Sequence, residues 1–328
     1  MLYIHGAGHF HPENILDNTF FEELEIETNE QWIVERVGIH QRRTVLNLDY
    51  IKQTYNRDRS LSTANVDYTV AQSAVPAVEM ALDRAGITKD DIGMVLASTC
   101  SPEVAIPGVA SLISCELGLS NVSCIDVNTA CSSFASQIYM ADAMAAEKMP
   151  DYVLLVQAEN WTKTVDYSDR KTAVLVGDAT AAMVVSKKHI APMRVTNTFL
   201  ESDPLNWQKV KVPNWGHFCQ DGPAVQKFAI KKTIATFKKL QESVDYPMHQ
   251  HYFISHQANL TMLRSVCKKL DIADDKHLYN VDKYGNCAAA GAPSVLSQNW
   301  QKFQPNDNLT VVVVGAGLTW GGMTITVG

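Results

Sequence analysis

Short apolar runs alternate along this chain with longer stretches of helical period. Strand-like runs fall at Tyr3–Gly8, Met94–Ser98, Val122–Val127, Tyr152–Gln157 and Ala181–Ser186. Helix-like stretches lie between them, at Val66–Ala85, Gly108–Leu117 and Ser132–Glu147. The second part repeats the order. A strand near Met193–Phe199 precedes a helix from Ala224 to about Glu242. A strand at Tyr252–Ser255 leads into a helix at Gln257–Leu270, and a short strand near Leu278–Asn280 into a helix at Ala288–Lys302. Paired strands at Leu309–Gly315 and Gly321–Val327 close the chain. Alternation of this kind predicts an α/β fold, and its repetition predicts a duplicated core. The join falls near Lys187–Pro192, giving halves of residues 1–187 and 188–328 with no long linker.

Polar residues at the strand-to-helix junctions add chemistry to this outline. Cys131 follows the apolar run Val122–Val127 in Ile125-Asp126-Val127-Asn128-Thr129-Ala130-Cys131-Ser132-Ser133-Phe134. The pattern puts it on the first turn of the next helix, where partial positive charge and unpaired N–H groups favour a thiolate. A cysteine so placed can have a depressed pKa and act as a nucleophile. A free cysteine is also often just a small buried apolar residue. His256 ends the strand-like run Tyr252–Ser255, and Asn286 sits in the turn Tyr284-Gly285-Asn286-Cys287. Open α/β sheets put their chemistry at such strand ends. A Cys, a His and an Asn at three equivalent junctions are expected to converge if the halves pack about a pseudo-twofold axis.

Bulk properties narrow the classes. The 328 residues are 46% hydrophobic, enough for one large domain or two fused halves. A net charge of −7 gives no basic field for nucleic acid. No apolar run approaches the ~18–20 residues that span a bilayer. Met1–Gly6 leads straight into a strand pattern and does not read as a signal peptide. The seven cysteines (100, 115, 124, 131, 219, 267 and 287) form no Cys-x-x-Cys pair, which fits reduced thiols in a cytoplasmic enzyme better than disulfides or zinc. Gly6-Ala7-Gly8 lacks the rest of a dinucleotide fingerprint. His249 and His251 have no nearby third ligand and read as a surface turn, so no metal site is expected.

Six segments in order then carry a resemblance: Trp32-Ile33-Val34-Glu35-Arg36-Val37-Gly38-Ile39, Asp126 to Phe134, Val176-Gly177-Asp178-Ala179-Thr180-Ala181-Ala182, His256-Gln257-Ala258-Asn259, Tyr284-Gly285-Asn286 and Gly315-Ala316-Gly317-Leu318-Thr319-Trp320-Gly321. With them the chain resembles the β-ketoacyl-acyl carrier protein synthase III group of thiolase-fold condensing enzymes over nearly its whole length. The resemblance implies a duplicated five-layer α-β-α-β-α core. It implies that Cys131 takes an acyl group from acyl-CoA as a thioester, and that His256 and Asn286 bind the thioester carbonyl of malonyl-acyl carrier protein. The backbone N–H groups of Cys131 and Ala316 match a second oxyanion hole. The family usually has Gly at the position of Ala316, and Ala serves if its φ is negative.

The same resemblance assigns Trp32 and Arg36 to the adenine end of CoA, with Thr28 and Arg170 as further nucleotide contacts. Ala258 and Asn259 match the lining of the pantetheine tunnel. Gln226 and Pro223 depart from the usual tunnel residues. Lys227, Lys268 and Lys269 match a basic patch for the acidic carrier protein, with Arg264 standing in for an Arg the pattern has at Thr261. Ile106 matches the residue that reaches across a homodimer and closes the partner's acyl pocket. Where the family has Phe for acetyl primers, the smaller Ile fits a longer, branched or otherwise unusual primer. The stretch Thr198–Asp221 is unlike the family's and is expected to reshape the tunnel mouth. The expected reaction is decarboxylative Claisen condensation without a bound cofactor. The alternatives are a specialised acyltransferase or ketosynthase with an unusual donor or acceptor, and a non-catalytic partner subunit.

Overall fold

The structure, a computed structural model, describes residues 1–242 and 251–328. Its strands in the first half are β1 (Leu2–Phe10), β2 (Asn14–Asp17), β3 (Gln41–Thr44), β4 (Ile92–Ser98), β5 (Ser123–Asp126), β6 (Tyr152–Glu159) and β7 (Ala179–Ser186). The helices there are α1 (Asn18–Glu23), α2 (Glu30–Val37), α3 (Leu48–Thr54), α4 (Val70–Ala85), α5 (Val109–Glu116), α6 (Ser133–Ala143) and α7 (Arg170–Ala173). The second half adds β8 (Met193–Ser202), β9 (Val210–Lys211), β10 (Cys219–Gln220), β11 (His251–Ser255), β12 (His277–Leu278), β13 (Asn308–Gly315) and β14 (Thr319–Val327). Its helices are α8 (Gly222–Gln241), α9 (Leu260–Leu270), α10 (Val281–Tyr284) and α11 (Gly291–Gln298).

Ten strands form one sheet in the order β12-β11-β13-β14-β8-β1-β7-β6-β4-β5. Numbered within each half, both sets of five strands run 3-2-4-5-1. They meet where β1 lies antiparallel to β8, with Leu2 opposite Val195 and Ile4 opposite Met193. Helices α6 and α11 pack on strands from both halves, α4 and α5 cover the other face of the first five, and α8 covers the other face of the second five with α9 packed beside it. This is the expected five-layer α-β-α-β-α core.

Packing follows from burial on both sheet faces. β7 is buried along its whole length, as central strands flanked by helices on each side must be. The middle layer joins Phe134 and Ile138 of α6 and Val295 and Leu296 of α11 to strand residues from both halves, including Leu155, Val185, Val311 and Ile325. Gly6 and Gly8 belong to the continuous strand β1 and to no phosphate loop. A β-carbon at either would stand 2.1 Å from the Ala81 carbonyl oxygen or 1.8 Å from that of Ala77, so these glycines let α4 lie directly on the sheet.

Several expected boundaries shift for local reasons. The helix expected from Val66 begins at Val70, where Thr69 and Gln72 form a capping box. The helix expected to run to Glu147 stops at Ala143. Met144 is extended (φ −66°, ψ 139°), and Lys187 binds the carbonyls of Asp142 and Met144. The helix expected from Gln257 begins at Leu260, because Asn259 takes the capping position and accepts the Met262 N–H at 2.9 Å. The helix expected over 288–302 is an α-helix only at Gly291–Gln298, with 3-10 turns on either side. The pattern did not predict β2, β3 or α1 to α3, which are short and half-exposed. Beyond β8, the segment expected to differ forms a 3-10 helix at Pro204–Lys209 and the small hairpin β9–β10.

Candidate active site

The turn after β5 is built to present one side chain. Asn128 Oδ1 accepts the Ala130 N–H at 2.9 Å, and Ser133 Oγ accepts that of Thr129 at 2.9 Å. The N–H of Ser132 goes to Thr129 O and that of Ser133 to Ala130 O. Ala130 is held at φ 51°, a left-handed conformation that costs an alanine of order 1–3 kcal/mol.

Cys131 stands two residues before the first residue of α6, outside the helix and not on its first turn as expected. Its thiol is not depressed either. Burial, and then the charge of Glu159, push it up to about 12. A helix terminus is worth only ~0.3–1 kcal/mol, too little to offset the loss of thiolate hydration. Glu159, the last residue of β6, is itself fully buried and is pushed up to about 8 by that burial. Its carboxyl group accepts the Cys100 N–H at 2.8 Å and takes the Cys100 thiol at 3.7 Å. At neutral pH Cys131 is therefore a thiol.

His256 follows β11 directly, and its N–H reaches Val312 O at 2.8 Å. Burial lowers its imidazole to about 4, so the ring is neutral at pH 7. Its Nδ1 is buried and has no partner among the described residues. Asn286 is fixed by its backbone: its N–H goes to Leu175 O at 2.7 Å, and its carbonyl accepts the Gly177 N–H at 3.1 Å. Asn286 Oδ1 accepts the Ala288 N–H at 3.0 Å, which leaves Nδ2 as the group free to donate.

The end of β13 completes the arrangement. A β-carbon on Gly315 would meet the backbone nitrogen of Ser132 at 2.7 Å and the carbonyl of Thr129 at 2.8 Å. The next residue, Ala316, is absent from the left-handed region, so its methyl group is carried without strain.

A cavity of about 800 Å³ is lined by Cys131, His256, Asn286, Ala316, Ala258 and Asn259, and extends to Trp32, Arg36 and Arg170. Two guanidinium groups stand over the Trp32 ring, Arg36 at 4.7 Å and Arg170 at 5.1 Å from its centre. Gln226 and Pro223 also line the cavity, as do Val210 and Phe218–Gly222 from the hairpin segment. Thr28 does not: it lies just before α2, its hydroxyl buried and without a partner among the described residues. Ile106 is 85% exposed and away from this chain's cavity. Lys227 is exposed on α8, and Arg264, Lys268 and Lys269 are exposed on α9, which packs against α8. His249 lies outside the described residues. His251 is buried in β11 against Thr310 Oγ1 at 2.5 Å, which corrects its reading as a surface residue. The described residues contain no metal-binding cluster and no helix long and apolar enough to cross a membrane.

Comparison with known proteins identifies the family. Residues 125–204 match the model of 3-oxoacyl-[acyl-carrier-protein] synthase III, and residues 247–327 match its C-terminal model. The β-ketoacyl-[acyl-carrier-protein] synthase III of Aliarcobacter butzleri is 30% identical, over 96% of this chain and 95% of its own length. The chain belongs to the β-ketoacyl-acyl carrier protein synthase III family. The synthase III of Oceanobacillus iheyensis is also 30% identical, over 98% of this chain and 97% of its own. The crystal structure of the Aquifex aeolicus 3-oxoacyl-[acyl-carrier-protein] synthase III covers 99% of this chain and 100% of its own, with a TM-score of 0.88 and 26% identity. As a synthase III relative, the chain is an acyltransferase of the condensing-enzyme class with the thiolase fold.

Three residues around the site were not anticipated. Glu159 ends an apolar strand-like run, and Cys100 follows another, so each carried the same strand-end signal that marked His256. Trp161 had no signal beyond being aromatic, because its role depends on a contact across 125 residues of sequence.

Proposed function

We propose that this synthase III relative condenses an acyl-CoA primer with malonyl-acyl carrier protein to give a 3-oxoacyl-acyl carrier protein. The observation that carries the reading is the single cavity in which Cys131, His256, Asn286 and Ala316 meet. The Cys131 sulfur attacks the acyl carbonyl, and CoA leaves as its thiol carrying a proton. The oxyanion of that step lies between the N–H groups of Cys131 and Ala316. Malonyl-acyl carrier protein then loses CO₂. Charge growing on its thioester oxygen is met by the His256 N–H and Asn286 Nδ2. The resulting enolate attacks the acyl carbon and frees the Cys131 thiolate, which regains a proton.

Trp32, Arg36 and Arg170 hold the adenine end of CoA, and Ala258 and Asn259 line the arm. Thr28 does not line this cavity and is left out of the CoA contacts. Lys227, Arg264, Lys268 and Lys269 form the docking face for an acidic carrier protein. We further propose a homodimer of chains each built from halves 1–187 and 188–328. β5 is a sheet-edge strand with Ile125 40% exposed, and Val104, Ile106, Tyr139 and Met140 in the same half are also exposed. Such apolar exposure marks an interface.

Gln226 and Pro223 at the cavity favour a specialised primer within the same chemistry. Incubation with a panel of acyl-CoAs, followed by intact-protein mass spectrometry and then by malonyl-acyl carrier protein, tests both readings. One acyl adduct, absent from Cys131→Ala and consumed by malonyl-acyl carrier protein, is expected. An adduct passed to a hydroxyl or amine acceptor without CO₂ release replaces condensation with simple acyl transfer. No adduct from any donor favours a non-catalytic subunit.

A further inference from the structure

Trp161 touches the cavity and the backbone that carries Asn286. It lies two residues beyond β6, opens a 3-10 helix, is 2% exposed and lines the cavity with Cys131 and His256. Its Nε1–H is shared between two carbonyls, Asn286 O at 2.9 Å and Gly177 O at 3.1 Å. The Asn286 carbonyl therefore has two donors, the indole and the Gly177 N–H. Asn286 Oδ1 is already engaged with Ala288, so the aim of Nδ2 follows directly from where its backbone lies. The indole ring meets Phe218 edge-on, ring centres 4.9 Å apart, and together they wall one side of the cavity.

The position of residue 161 does not depend on its own ring. Asp178 accepts the Thr162 N–H at 2.8 Å and the Thr162 hydroxyl at 2.5 Å, and Thr164 Oγ1 donates to Trp161 O at 2.7 Å. The backbone here is anchored by its neighbours, which leaves the indole to serve the cavity.

We infer that Trp161 is a positioning residue for Asn286, its indole N–H setting the aim of the amide while its ring bounds the space open to the acyl chain on Cys131. The inference rests on the condensation reading above. It separates two half-reactions: acyl transfer to Cys131, which needs no Asn286, and condensation with malonyl-acyl carrier protein, which does.

Trp161→Phe keeps a ring and removes the donor. Cys131 acylation should stay within about twofold, while kcat for condensation falls about tenfold, the loss of one hydrogen bond, with little change in KM. Trp161→Leu also opens the wall and should move the preferred acyl-CoA to a longer chain in adduct mass spectra. Thermal melting of both variants reports folding. A Phe variant whose condensation matches wild type overturns the positioning role, as does one whose two half-reactions fall in parallel. An unchanged chain-length profile in the Leu variant overturns the wall. Wild-type protein that loads an acyl group yet leaves malonyl-acyl carrier protein untouched overturns the functional reading itself, before any variant is made.

Discussion

Gly315 rests on the turn that bears Cys131, its α-carbon so near Ser132 that an added β-carbon would stand 2.7 Å from the Ser132 nitrogen. This contact presses the last residue of β13 from the second half against the Cys131 turn of the first. Gly315→Ala must push the two apart. Overpacking of this kind costs about 1–3 kcal/mol, visible in urea unfolding. Acylation of Cys131 should slow about tenfold or more, because the Ala316 N–H moves with the strand. A variant that loads acyl groups at the wild-type rate shows that the contact does not set the oxyanion geometry.

The raised Cys131 thiol gives a pH signature. With its pKa near 12, alkylation by iodoacetamide should climb about tenfold per pH unit from about pH 6 to pH 9. Glu159→Gln removes a neighbour that is anionic above about pH 8, so the variant should react faster than wild type there and equally at pH 6. A wild-type plateau near the ordinary thiol value would contradict the desolvated site.

Glu159 also leaves a mark on stability. Folding raises its pKa from 4.5 to about 8, so the folded state binds the extra proton between those values. Its contribution is complete below about pH 4.5 and is lost as pH rises through 8. The melting temperature of Glu159→Gln should therefore match wild type near pH 4 and exceed it increasingly toward pH 9. Differential scanning fluorimetry across that range measures the trend, and a constant difference would argue against a protonated Glu159.

His256 and Asn286 should separate the two half-reactions by substitution. His256→Ala and Asn286→Ala should each lower condensation by about 10²–10³ while Cys131 still takes up an acyl group. Because burial holds the imidazole near pKa 4, malonyl decarboxylation should show no break at the ordinary histidine value of 6.5. An inflection there means that the ring titrates in a wetter site than the fold provides.

Much of this architecture was legible in the sequence because it depends on local pattern. Runs such as Tyr152–Gln157 are apolar on both faces, and only a covered strand tolerates that. Cys131, His256 and Asn286 stood out because each follows a strand. What depends on distant packing was hidden. The direction of the Cys131 shift turns on burial and on Glu159, which no helix-terminus argument includes. The end of α6 at Ala143 depends on Lys187 reaching back to its last carbonyls. The early elements β2, β3 and α1 to α3 are too short and too half-exposed for periodicity to declare them. Thr28 matched a motif, yet its hydroxyl turned inward.

The twice-repeated strand order 3-2-4-5-1 makes the molecule two unlike copies on one thread. At the ends of the second, third and fourth strands the first copy carries Cys100, Cys131 and Glu159, and the second carries His256, Asn286 and Ala316. Sulfur and carboxyl fell to one copy, imidazole and amide to the other. On the proposed mechanism neither copy holds a complete reaction site, so a gene cut at the seam between β7 and β8 should yield two inert polypeptides whose activity returns only on mixing. Selection on either copy is then selection on the pair, and the two can diverge only in step.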